Sequence, residues 1–276
     1  MSVKRSAVLL NTDAHRPARD QLIDHLNQVT RREGWRDHEA ISYWLDATFR
    51  SMRGATLVHR QEEHDKNEAE YMRIVKRCRH PIETMTDLSH MFGALVLALE
   101  AEPVDFIGPI FGELASSAQL GQFFTPYHAS KMMAAMIIEE PMDAFQRSGQ
   151  SYITFQEPAC GVGGMALAAC EVLREYQFDL ARQVHWTLVD IDYQAHCAAY
   201  LQMNLCHISA DVIHGNTLSL ETWISTPTLA AILHPKRPKA GTQADPPSAA
   251  PETPAIEQAA PRPTNPVQLP LFEGLT

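Results

Sequence analysis

Cysteine is scarce in this chain: five residues in 276, with no C-x-x-C pair and no metal-ligand spacing. A disulfide framework and a cysteine-based zinc module are therefore excluded, and the thiols read as reduced. Long apolar runs are missing too. The longest, Gly93 to Leu99, falls far short of the roughly 20 residues a membrane helix needs, and Ala7 to Leu10 is too short for a signal peptide. The expectation is a cytoplasmic protein. Positive charge is also in deficit, with 23 Lys+Arg against 33 Asp+Glu and a net charge of −10. The deficit is uneven: residues 1–80 hold 15 basic against 12 acidic side chains, and the remainder holds 8 against 21. Phosphate neutralisation supplies most nucleic-acid affinity, so an acidic total argues against strong autonomous binding to DNA or RNA. Any such contact is expected from the N-terminal region or from a partner. The bland reading is that its arginines only solvate helix faces. No internal repeat is apparent.

What is present suits a globular protein, 45% hydrophobic and 20% charged. Residues 1–118 read as a helical domain. Ile41, Trp44, Leu45, Thr48, Phe49 and Met52 recur at helical spacing and form one apolar stripe. Thr84 to Glu100 gives a second helix, with Leu88, Met91, Phe92, Leu95 and Leu99 facing one way, and Glu62 to Arg79 lies between them as a charged helix. Thr125-Pro126 opens another, Tyr127 to Glu139, with Pro in the first turn where its missing N–H costs nothing. Met132, Met133, Met136 and Ile137 are expected on its buried face.

The densest signal is Phe155-Gln156-Glu157-Pro158-Ala159-Cys160-Gly161-Val162-Gly163-Gly164-Met165. Tyr152 to Phe155 before it has the composition of a strand. Met165 to Tyr176 after it has that of a helix. Glycines at such a turn admit positive φ and close ligand approach, and the helix aims free N–H groups at whatever binds there. A tight turn without a ligand is the plain alternative. Val184 to Asp190 then reads as a second strand ending in a carboxylate, the position from which a ribose diol is held. Asp192 caps a helix from Tyr193 to Leu205. Cys160 has no base beside it and reads as packing. Together these segments describe a βαβ unit with a nucleotide-like cofactor at its turn.

Glu157 to Gly164 resembles the S-adenosylmethionine-binding motif of amino-directed DNA methyltransferases, and among them the modification subunit of type I restriction–modification systems. Four more segments match in order: Asp105 to Gly108 with Phe111 to Leu114, Gly121-Gln122-Phe123-Phe124-Thr125-Pro126, Asp190 to Asp192 with Met203 to Leu205, and Ile213 to Leu218. The resemblance implies an α/β chain with a Rossmann-like S-adenosylmethionine-dependent methyltransferase fold, truncated and preceded by the helical domain. The methyltransferase-like domain would span 119–235. The implied cofactor contacts are Phe123, Thr125, Glu157, Pro158, Ala159, Gly161, Gly163, Asp190, Ile191 and Asn216, with Asp190 on the ribose and Asn216 on the adenine. The implied activity is methyl transfer to adenine in DNA, with recognition supplied by a separate specificity subunit.

The likeness breaks where catalysis would occur. The family's [DN]-P-P-[FYW] loop follows a fourth strand, holds the exocyclic amine and stacks the flipped base. Leu229 to Leu233 is the expected fourth strand here, but His234-Pro235-Lys236-Arg237-Pro238 follows it with no aromatic. From Thr226 onward 51 residues hold 11 of the 18 prolines, a composition too poor to form a core. Residues 236–276 are therefore expected to be a disordered tail. It ends in Gln268-Leu269-Pro270-Leu271-Phe272, which resembles the Q-L-x-L-F peptide that docks replication and repair proteins on the bacterial sliding clamp; Gln268, Leu269, Leu271 and Phe272 would make the contacts. The alternatives are packing back on its own domain or no role. Two functions thus compete: a DNA adenine-N6 methyltransferase relative, and a non-catalytic adaptor that keeps the cofactor fold and joins DNA-maintenance machinery through its tail.

Overall fold

The computed structural model describes residues 12–115 and 125–236. Phe123 and the clamp-like peptide Gln268, Leu269, Leu271 and Phe272 lie outside the described residues, as does the tail from 237 onward.

The N-terminal part is helical: a 3-10 turn at Asp13–His15, then α1 (Arg16–Glu33), α2 (Asp37–Thr56), α3 (Gln61–Arg77), α4 (Pro81–Ala101) and α5 (Ile107–Ala115). The stripes behave as expected, with Ile41, Trp44, Leu45 and Phe49 of α2 and Leu88, Met91, Leu95 and Leu99 of α4 buried. Helix α1 ends at Gly34, whose φ of 72° places it in the left-handed region that closes helices. Glu33 beside it is 1% exposed and takes the N–H groups of Arg79 (2.6 Å) and His80 (3.1 Å). Its carboxyl is held below the usual carboxylate range: burial pushes up, but the hydrogen bonds from Thr84, Arg79 and His80 together outweigh it.

The second part is α/β. Helix α6 (Tyr127–Ser148) leads to β1 (Ile153–Glu157), α7 (Gly164–Glu175), β2 (Val184–Asp190), α8 (Tyr193–Leu205), β3 (Ala210–Asn216), β4 (Glu221–Pro227) and α9 (Leu229–Leu233). The sheet order is β1-β2-β3-β4; the first two pairings are parallel and the last is antiparallel. Phe155 lies opposite Trp186 with the rings stacked at 4.8 Å, and Trp186 lies opposite Ala210. The fold class is thus α/β with a small mixed sheet, set against a large helical part.

Two expectations are corrected. Leu229–Leu233 is a short helix, capped by Thr228, rather than a strand. The buried Thr228 hydroxyl donates to the Ile208 carbonyl (2.7 Å) and accepts from the Ala210 N–H (3.0 Å), which pins this turn to the start of β3. The fourth strand is Glu221–Pro227, reached through Leu220 at φ 60°, so the chain turns back as a hairpin instead of crossing over. On α6, Met132, Met133, Met136 and Ile137 are 38–76% exposed, and the buried face is Tyr127, Ser130, Ala134, Ile138 and Met142. The helix is apolar on more than one side, and its contacts with α7 select the other stripe. Tyr127 Oη donates to Glu171 (2.7 Å), and Lys131 Nζ bridges Glu171 (2.7 Å) and Glu175 (3.1 Å), which fixes that face towards α7.

The two parts share one core. Phe49 of α2 packs edge-on against Tyr193, His196 and Tyr200 of α8. Arg50 donates to Tyr193 Oη (3.0 Å), which in turn donates to Asp46 (2.6 Å).

Candidate functional site

At the carboxyl ends of β1 and β2 the sequence must turn sharply into α7 and α8, and both turns bend around one cavity of about 320 Å³. The first turn depends on glycine: Gly161 has φ 53° and Gly163, the residue before α7, has φ 92°. A side chain at either would strain the backbone. The second turn depends on Asp190. Its Oδ2 accepts the Gly161 N–H (2.7 Å) and its Oδ1 accepts the Asp192 N–H (2.9 Å), so this carboxylate ties the two turns together. Cys160 N–H bonds to the Val189 carbonyl (2.9 Å) and closes the gap between the strand ends.

The floor comes from the helical part. Asp105, 7% exposed, lines the cavity. Its Oδ1 accepts the N–H of Gly108 (2.8 Å) and the side-chain amide of Gln202 (3.0 Å). Gln202 is fully buried and also donates to the Val162 carbonyl (2.9 Å), while its oxygen accepts the N–H groups of Phe106 (2.8 Å) and Ile107 (3.1 Å). One amide thus joins the lead-in to α5 with the glycine turn. Burial pushes the Asp105 carboxyl up, partly offset by the Gln202 and Gly108 hydrogen bonds. A Cβ at Gly164 would sit 3.0 Å from Asp105 Oδ2, which keeps that position small.

Of the sequence-predicted cofactor residues, Thr125, Glu157, Ala159, Gly161, Asp190 and Ile191 line the cavity. Pro158 and Gly163 do not line it; Pro158 offers its carbonyl to the Thr217 hydroxyl (2.6 Å), and Gly163 backs onto Ala199. Asn216 is outside the lining as well, and its side-chain oxygen accepts the N–H groups of Leu218 (2.9 Å) and Ser219 (3.3 Å), holding the hairpin turn. Asp105 and Ser130 were missed as site residues. Asp105 opens the segment Asp105 to Gly108 that resembles the family, but nothing local marks it as a cavity residue, and Ser130 is only a serine one turn after Tyr127.

The lining has a distinct electrostatic character. Asp105, Glu157 and Asp190 contribute three carboxyl groups, and among the described residues no Lys, Arg or His lines the cavity. Cys160 lies there too, but burial and the nearby Asp190 and Glu157 push its thiol well above the ordinary range, so it stays protonated and is no nucleophile. Among the described residues that line the cavity, these carboxylates are the groups that could act as a base towards an incoming nucleophile.

The segment that would carry a catalytic loop lies elsewhere. Lys236 Nζ donates to the carbonyls of Ala181 (2.6 Å) and Arg182 (2.9 Å), just before β2 begins. The cavity is at the far end of that seven-residue strand, about 20 Å away at the rise of an extended chain. His234, two residues from Lys236, therefore belongs to the amino ends of the strands, away from the glycine turn.

Fold and site define an α/β domain with a cavity at the carboxyl edge of parallel strands, between a glycine turn and an acidic strand end. The family model described as N-6 DNA Methylase matches residues 110–235, from within α5 to just beyond α9. That segment belongs to the adenine-N6 DNA methyltransferase family. No curated protein and no solved structure matches the chain.

Proposed function

We propose that the cavity binds S-adenosylmethionine and that the protein takes part in methylating adenine in DNA. The observation that carries this reading is the acidic lining beside a glycine turn. A glycine turn followed by an acidic second-strand end also suits dinucleotides, but their pyrophosphate at the turn would face Asp105 and Glu157. Each carboxylate–phosphate pair at about 5 Å costs about 3 kcal/mol at an effective dielectric near 20. S-adenosylmethionine has no phosphate; it brings a sulfonium, an ammonium and a ribose diol, which suit carboxylate neighbours.

In this reading Glu157, Pro158, Ala159, Gly161 and Gly163 shape the cradle for the methionine part, with Phe123 and Thr125 closing over it. Asp190 retains acceptor capacity beyond its two backbone bonds and meets the ribose. Ile191 lies against the adenine, and Asn216 holds the turn on that side. When bound, the cofactor supplies an electrophilic methyl group; the chain's residues orient it and keep water away. Removal of the Asp190 carboxylate both frees the glycine turn and deletes the ribose acceptor. Asp190→Ala should therefore weaken S-adenosylmethionine binding at least tenfold by calorimetry; unchanged affinity would overturn the assignment.

A second reading is an adaptor that keeps the cofactor fold without turnover. It is favoured by the placement of Lys236 at the opposite end of the sheet from the cavity. Among the described residues β1 has a strand partner on one side only, and Met132, Met136 and Ile137 of α6 face solvent. Both surfaces favour a partner chain at this end of the sheet. For a methyltransferase that partner would bring the base-holding loop and, as in type I systems, a specificity subunit would bring DNA recognition. Tritiated-methyl transfer to unmethylated DNA, with the chain alone and with a candidate partner, separates the two readings.

A further inference from the structure

Helices α1 and α4 form the most extensive helix pair of the N-terminal part, and a group of polar side chains sits within their contact. His25 lies on α1; Asp87 and His90 lie on α4, one turn apart, so both project from one face. One ligand atom from each of the three lies within 4.8 Å of the others. His25 Nδ1 is 2.8 Å from Asp87 Oδ1, and the two imidazole centroids are 4.6 Å apart.

We propose that His25, Asp87 and His90 form a binding site for a borderline divalent cation, zinc first. Two imidazoles and a carboxylate match the donor preference of zinc and cobalt(II) over magnesium or calcium, which demand mostly oxygen. Two ligands on one tetrahedral ion at about 2.1 Å each stand roughly 3.4 Å apart. The spacing here brackets that value, so small side-chain rotations close the site. Asp87 is prepared for the role: it is 5% exposed, and its second oxygen is held by Arg32 Nη1 at 2.6 Å. That contact fixes the carboxylate while leaving Oδ1 on the histidine side, the outer-shell support that ligating carboxylates commonly have.

A simple hydrogen-bonded knot explains His25 and Asp87 but not His90. Among the described residues His90 has no hydrogen-bond partner, and its contact is with the His25 ring. His90 is also exposed, so an ion held here would keep a solvent-side position for water and would clasp α1 to α4.

The test uses the full chain after chelator treatment and dialysis. Zinc chloride titrated by calorimetry should bind at one ion per chain, and the melting temperature should rise with zinc. Cobalt(II) should give ligand-field absorption without a thiolate charge-transfer band. His90→Ala, at an exposed position that leaves the Arg32–Asp87–His25 chain intact, should weaken zinc binding at least tenfold and abolish the zinc-dependent rise in melting temperature. Absence of saturable binding, equal binding by the variant, or a thiolate band would each overturn the proposal.

Discussion

His196 shows how a single side chain couples the two parts of the molecule to pH. It is fully buried between Phe49, Tyr193 and His214, and neither ring nitrogen has a hydrogen-bond partner among the described residues. Burial first, then the neighbouring His214 and Arg53 charges, push its pKa from 6.5 down to about 3. The folded state therefore keeps His196 neutral where the unfolded chain takes up a proton. Between pH 6.5 and about 3 the unfolded state binds more protons, so this residue lowers stability as pH falls. The loss approaches about 1.4 kcal/mol per pH unit. Asp105 works in the opposite direction, since its raised pKa favours the protonated folded form as pH falls. The comparison must thus be between wild type and His196→Phe, by urea unfolding from pH 7.5 to 4.5. The stability difference between them should widen in the variant's favour with acid; parallel curves would show that His196 is hydrated or hydrogen-bonded in solution.

At the scale of elements, α6 shows what the sequence could and could not decide. Its existence was legible from Thr125-Pro126 and the absence of early breakers. Its buried side was not, because Tyr127, Ser130, Ala134 and Ile138 share the same period as Met132, Met136 and Ile137 on another face. The Tyr127 hydrogen bond and the Lys131 ion pairs to α7 choose between them. The fourth strand was hidden similarly. Glu221 to Thr226 is β-branched enough to pair, yet it follows a turn at Leu220 with positive φ that no glycine announces. The glycine turn, β2 and the Asp192 cap were legible because each combines a local signal with its neighbours: Asp192 does accept from Ala195 N–H (2.8 Å). The Asp105–Gln202 link spans most of the domain in sequence, so no local pattern points to it. The α6 assignment has a direct consequence for stability. Met136→Glu, at 76% exposure, should shift the urea stability of the isolated chain by no more than about 0.5 kcal/mol. Ile138→Ala, at 1% exposure, should cost about 2–4 kcal/mol. Equal losses would mean that both faces are covered.

At the scale of the whole molecule, the sheet is short of cover. Parallel strands are normally buried on both faces, but Thr154 and Gln156 of β1 are exposed and His185, Thr187 and Asp211 beside them are only half-buried. Combined with the acidic balance beyond residue 80, this makes a poor DNA-binding surface for the chain acting alone. No helix among the described residues is long and apolar enough to cross a membrane. The C-terminal Gln268-Leu269-Pro270-Leu271-Phe272, which resembles a clamp-docking peptide, suggests one route to DNA: in the proposed adaptor role it would dock on the sliding clamp, with Leu271 and Phe272 in an apolar pocket and Gln268 hydrogen-bonding at a second. A proline-rich connection would then hold the cofactor domain near DNA at raised effective concentration without any new contact. Deleting Gln268 to Phe272 should abolish capture by immobilised clamp on a sensor surface while leaving S-adenosylmethionine affinity within about twofold, because the peptide is remote in sequence from the cavity. Loss of both activities together would instead place the peptide against its own domain, and retained clamp capture would remove it from the recruitment role altogether.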